Sequence, residues 1–149
     1  MDLGYRLRRA LLARLRWRTR GVKVAAFDGE GRVLLVRHGY GRSDLWMLPG
    51  GGVGRRETPA AAAARELMEE VRCALADVTL FGEYRSVAEG KRDTIFLFRG
   101  VTRDRPRADG LEVIEARFFP PDAPPPTTSP ATLRRIAELR GEGEPDASW

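Results

Sequence analysis

Apolar positions along this chain change period several times, and each change marks an element. Leu3, Leu7, Leu11 and Leu15 recur every fourth residue, Leu12 widens the stripe, and arginines fill the rest. That is the pattern of a basic amphipathic helix over 1–20, ending before Gly21. Val22 to Phe27 and Arg32 to Val36 are short apolar runs around Asp28-Gly29-Glu30-Gly31, a hairpin signal. Leu45 to Leu48 forms a short strand leading into the turn Leu48-Pro49-Gly50-Gly51-Gly52. Thr58 before Pro59 is an N-cap with proline at the first helical position, and alanines 60–64 carry the helix on to about Val71.

Val78 to Val87 and Thr94 to Phe98 read as two further strands. Ile95, Phe96, Leu97 and Phe98 are apolar on both alternating faces, so this strand is expected at the centre, covered on both sides. Glu112 to Phe119 gives one more strand, and Pro120 to Pro126 a stiff connector. Ser129-Pro130 then caps a final helix carrying Leu133, Ile136 and Leu139 and stopping at Gly141. Groups of strands separated by two helices place the domain in the α/β class. The expected organisation is a basic helix over 1–20, one domain over 21–141 and a frayed tail over 142–149.

The 149 residues suit one core buried on both sides of a sheet. One cysteine, Cys73, excludes an intramolecular disulfide and fits a reducing, cytoplasmic compartment; it is expected to pack as a small apolar group. No run approaches the ~18 apolar residues of a membrane span, and no secretory signal is visible. The net charge of +5 is unevenly spread. Residues 1–20 hold seven arginines and one acid, a balance of +6, while the rest carries 19 basic and 20 acidic groups, or −1. A DNA-binding domain is not what this distribution suggests. The basic helix is read first as packing on the domain or on a second copy in a homodimer. Contact with an anionic membrane surface or with nucleic acid is less favoured.

Glu66, Glu69 and Glu70 stand at i, i+3 and i+4, on one helical face. Three like charges there repel one another, so a helix that needed only stability would avoid them. A hard divalent cation such as Mg²⁺ reverses the sign, because it takes oxygen ligands and tolerates several carboxylates. Gly51, five residues, Glu57, seven residues, then Arg65-Glu66-Leu67-Met68-Glu69-Glu70 closely resembles the signature box of the Nudix hydrolases, spanning 51–73. The strand pair before it, the glycine turn and Glu-Ala-Arg-Phe-Phe at 115–119 look like the family's frame. One position departs from the pattern: Arg72 stands where the family usually has a glycine, which puts the geometry of the helix end in question.

The resemblance implies a Nudix-type α/β/α sandwich and Mg²⁺-dependent hydrolysis of a diphosphate linkage in a nucleoside diphosphate derivative, with Mn²⁺ able to substitute. Glu66, Glu69 and Glu70 would hold the metal, and the carbonyl of Gly50 or Gly51 would add a hard ligand. Arg65 would pair with Glu57 and orient the glutamate face. Glu112 and Glu115 are candidates for a general base or substrate contact. On an alternating strand at most one of them faces the cleft. Arg37 could reach a substrate phosphate and Trp46 could stack on a base, although core packing is the favoured reading of Trp46. His38 has no role in this scheme. No proline falls between Pro59 and Pro106, which argues against the ADP-ribose branch, and Tyr84 comes too early for the dinucleoside polyphosphate branch. A nucleoside triphosphate is the favoured substrate. The competing reading is a catalytically weak Nudix-fold module that binds or senses a nucleotide and is tethered through residues 1–20.

Overall fold

The computed structural model describes residues 20–39, 44–88 and 91–149. The helix expected over 1–20 lies outside them, except that Arg20 opens the first strand. Strands β1 (Arg20–Phe27), β2 (Val33–His38), β3 (Trp46–Met47) and β4 (Gly50–Gly52) precede helix α1 (Pro59–Val71). Strands β5 (Ala76–Ala88), β6 (Lys91–Val101) and β7 (Val113–Phe119) follow, then helix α2 (Pro130–Leu139). β5 and β6 extend beyond the apolar runs that announced them, because pairing from Ala76↔Val101 to Ala88↔Lys91 continues through polar residues.

The sheet is mixed, with order β3-β2-β1-β6-β5. β1 and β6 run parallel over eight paired positions, from Arg20↔Thr94 to Phe27↔Val101. Gly21–Lys23 of β1 also pairs antiparallel with β4, which brings the glycine turn onto the sheet. β7 pairs antiparallel with β2. Two cores result, one on each face. Val22, Val24, Leu34, Val36 and Phe98 meet Ala62, Ala63, Leu67 and Val71 of α1. Ala25, Val33, Leu35, Trp46, Leu48 and Leu97 meet Ile136 of α2. Phe96 packs with the first set and Ile95 with the second, so β6 is central and covered on both sides. The α/β/α sandwich follows from this alternation. Among the described residues no helix is long and apolar enough to cross a membrane.

The helix ends show why these segments stop where they do. Thr58 Oγ1 accepts from Ala61 N at 3.1 Å, and Ser129 Oγ accepts from Thr132 N at 3.2 Å. Arg72 takes the left-handed conformation (φ 60°, ψ 35°), and its N–H donates to Met68 O. The exit that glycine would provide is therefore kept with a side chain present, at a cost of ~1–2 kcal/mol.

The tail expected to be frayed is docked. Arg85 N donates to Ala147 O at 2.7 Å and Trp149 N to Arg85 O at 2.9 Å, adding a short stretch alongside β5. The anchor is Arg135, which is 0% exposed. It pairs with Glu138 at 2.9 Å, donates to Ser148 O at 2.6 Å, and lies 4.0 Å from the Tyr84 ring centroid and 5.4 Å from that of Trp149. Glu138 also accepts from Tyr84 Oη at 3.1 Å and from Asp146 N at 2.9 Å. Burial, reinforced by this carboxylate, pushes the Tyr84 phenol up to about 12. Leu133 is exposed, because Thr132, Arg135 and Ile136 take the buried face of α2.

Arg135→Met should destabilise the fold by ~3 kcal/mol in urea denaturation, since it leaves the Glu138 charge buried without its guanidinium. A loss below ~1 kcal/mol would show that the tail is not held through this pair.

Candidate active site

Helix α1 presents its carboxylates to the glycine turn. Glu66 and Glu70 are 5% and 2% exposed, which is unusual for carboxylates. Glu69 is more open, with its side chain 25% exposed. The turn meets them without side chains. A Cβ on Gly51 would lie 2.3 Å from Glu66 Cδ and Oε1, and one on Gly50 would lie 2.0 Å from Val22 O. Glycine at these two places is thus a steric requirement, at Gly51 because the Glu66 carboxylate rests on the backbone. Lys23 Nζ donates to Leu48 O at 3.1 Å and steadies the entry to the turn. Nothing in the apolar run around Lys23 pointed to this contact.

Arg65 ties these parts together. Its Nε and Nη2 grip Glu57 at 2.7 and 2.8 Å, and Nη1 reaches Glu66 at 3.0 Å and Glu69 at 3.2 Å. Nη2 also donates to Gly52 O at 3.0 Å, fastening helix to turn. Glu57 Oε1 in turn accepts from Gly54 N at 2.9 Å. The two-pronged grip suits a guanidinium and not a lysine. It holds the Glu57 carboxyl below its ordinary range, against a smaller opposing effect of burial. The hydrogen bond to Glu57 likewise drives the Arg65 pKa upward, so its charge is permanent.

Glu57, Glu66, Glu69 and Glu70 together bring four negative charges, of which Arg65 neutralises at most one. This surplus of hard oxygen donors fits a divalent cation. Among the described residues no three or more His, Cys, Asp or Glu side chains are gathered closely enough to hold a metal ion. Arg65 instead engages Glu57, Glu66 and Glu69, and Glu66 rests on Gly51.

The remaining candidates are placed elsewhere. Arg37 pairs with Glu115, its cross-strand partner on β7, and its Cζ lies 5.4 Å from the Trp46 ring centroid. Trp46 is 7% exposed and packs edge-on against Phe119, whose ring lies with the α2-side core. On alternating strand geometry, Arg37 and Glu115 therefore occupy the sheet face opposite α1. Glu112 stands one residue before β7, where its carbonyl accepts from Gly39 N at 2.7 Å. His38 is buried at the end of β2. Cys73 is buried, and burial raises its thiol pKa, so it behaves as a packing group.

The NUDIX domain model matches residues 17–139, and the chain belongs to the Nudix family. A Bacillus subtilis protein with the provisional name 8-oxo-dGTP diphosphatase is 30% identical over 124 residues, covering 82% of this chain and 80% of that one. An RNA pyrophosphohydrolase of Saccharophagus degradans is 41% identical over 61 residues, 41% of this chain and 35% of that protein. The matched stretch spans about a third of the RNA pyrophosphohydrolases it resembles. The crystal structure of a MutT NUDIX hydrolase from Burkholderia pseudomallei superposes with a TM-score of 0.73 at 25% identity, covering 81% of this chain and 97% of that one.

The Glu57–Arg65 grip sets a pH dependence. A carboxyl whose pKa is depressed on folding adds stability above its unfolded value and loses it as pH falls through the folded value. The stability gap between wild type and Glu57→Gln should therefore be constant from pH 7 to about 5 and shrink below about 4.3. Urea midpoints across this range measure it. A gap that persists unchanged at pH 3 would contradict the assignment.

Proposed function

We propose that this protein is a Mg²⁺-dependent hydrolase that cleaves the diphosphate linkage of a triphosphate-bearing nucleotide. The observation that carries this reading is the carboxylate face of α1, pressed on Gly51 and braced by Arg65. Repulsion within that face is a standing cost that a purely structural helix would not carry. The name of the Bacillus subtilis relative, aligned over most of both chains, supports a nucleoside triphosphate.

In this reading Glu66, Glu69 and Glu70 hold the metal, with the carbonyl of Gly50 or Gly51 as a further oxygen donor. Bound there, Mg²⁺ supplies charge neutralisation for the diphosphate and acidifies a water, and Mn²⁺ can replace it. Hydrolysis adds water across the P–O–P bridge: a water oxygen bonds to phosphorus, the bridging P–O bond breaks, and the water proton passes to a carboxylate. Glu69, the most exposed of the three α1 carboxylates, is the candidate from the helix side to take that proton. Glu112 is the candidate from the strand side. Arg65 and Glu57 act as positioning residues, holding the carboxylates at fixed spacing without titrating near neutral pH. Glu115 is committed to Arg37 and belongs with it and Trp46 to a rim on the other sheet face.

The test is a screen of nucleoside triphosphates, nucleotide sugars and dinucleotides with Mg²⁺, with products identified. Wild type should release phosphate or pyrophosphate, and Glu69→Gln should lower kcat by ~10²-fold or more with an unchanged urea midpoint. Nucleotide binding without any Mg²⁺-dependent phosphate release would instead identify a binding or sensing module.

A further inference from the structure

The carboxylates have a basic neighbour on the same side of the sheet. Cross-strand register sets Arg20 of β1 opposite Thr94 of β6, and Thr94 opposite Arg85 of β5. The next row along joins Glu83, Phe96, Val22 and, on β4, Gly51. Val22 and Phe96 belong to the core under α1, so alternation puts Arg20, Thr94 and Arg85 on that face as well. The Glu66 carboxylate rests on Gly51, at the end of the second row. Two residues of strand, about 7 Å, therefore separate the arginine row from the row that ends at the carboxylates.

Both arginines spring from fixed backbone. Arg20 O accepts from Val53 N at 3.2 Å, which ties it to the glycine turn. Arg85 N donates to Ala147 O and its carbonyl accepts from Trp149 N, so the docked tail holds it from the edge of β5. Helix α1 packs over β1 and β4, while Glu83 and Arg85 of β5 are exposed and Arg20 and Thr94 half-buried. The helix thus leaves this corner of the face uncovered. Among the described residues neither arginine makes an ion pair, although Glu83 stands on the same face two residues from Arg85.

The two guanidiniums flank one threonine, with backbones about 10 Å apart, so both side chains can reach one small anion between them. Like charges in one row are a cost that folding alone does not call for. The other cations beside the turn are engaged, Arg65 with the carboxylates and Lys23 with Leu48 O. We infer that Arg20, Thr94 and Arg85 form a subsite for the terminal phosphate of a nucleoside triphosphate whose scissile linkage lies at the carboxylates. This rests on the hydrolase reading above and assigns residues that favour a triphosphate over a diphosphate. Charge-assisted hydrogen bonds from the guanidiniums, and one from the Thr94 hydroxyl, hold the non-bridging oxygens. The row touches no reacting atom, so it acts on substrate binding.

The test compares wild type with Arg20→Gln, Arg85→Gln, the double variant, and the control Arg134→Gln on α2. With Mg²⁺ present, kcat and KM are measured on ATP and GTP, and the affinities of ADP and GDP by competition. Each single variant should raise KM for the triphosphates ~10-fold with kcat little changed, and the double variant ~50-fold or more. Diphosphate affinity should stay within about twofold, Arg20→Lys should recover part of the loss, and the control should match wild type. Unchanged Mn²⁺ affinity and urea midpoints separate a lost phosphate contact from a disturbed fold. Equal losses for triphosphates and diphosphates, or an unchanged KM in the double variant, would overturn the subsite. If wild type hydrolyses no nucleotide, calorimetric titration with inorganic tripolyphosphate decides. Binding that weakens in the double variant then sinks the hydrolase reading and keeps the subsite, whereas equal or absent binding in both proteins overturns the subsite too.

Discussion

The Arg65 guanidinium is the interaction on which the rest of the site depends. It touches Glu57 in the loop before α1, Glu66 and Glu69 on the helix, and the carbonyl of Gly52 in the turn. Without a fixed cation at that point, the carboxylates of α1 would repel one another and the helix would lose the bond from Arg65 to the turn. Held this way, the face keeps its surplus negative charge concentrated in a partly desolvated place, where charge interactions are strongest. The stability of the brace and the chemistry proposed for the face are two consequences of one arrangement.

The sandwich supplies what Arg65 cannot. β1 pairs with β4 and β6 on its two sides, so the glycine turn is fixed by backbone bonds to the central strand. Leu67 and Val71 anchor α1 over the core from the same helix that carries the glutamates. A helix that packs on one face and presents carboxylates next to it can be rigid and charged at once. The second core, under α2, sets Trp46 and Tyr84 and closes the other face.

Much of this was legible because it is local. The Gly51, Glu57 and Arg65 spacing, the Thr58 and Ser129 caps and the two-faced apolar run of β6 are all encoded within a few turns or one strand. Arg72 was legible as a departure, but not its outcome, because sequence alone does not say whether a side chain will accept the left-handed conformation. Contacts across long separations were not legible. Arg37 with Glu115 depends on the register of β2 against β7, and Arg135 with Trp149 depends on where the chain returns after α2. A final segment rich in glycine and glutamate reads as unstructured until the buried arginine that receives it is seen. The leucines of α2 do not reveal it either, since Arg135 lies on the buried face of that helix and Leu133 is exposed.

The central claim is that the α1 face is a cation site, and metal counting tests it without reference to any substrate. Titration of the full chain with Mn²⁺, followed by electron paramagnetic resonance of the free ion, gives stoichiometry and affinity directly. The account predicts at least one ion bound per chain, displaced by excess Mg²⁺ and lost in Glu66→Gln/Glu70→Gln while that variant remains folded. Equal Mn²⁺ binding by wild type and this variant would contradict it.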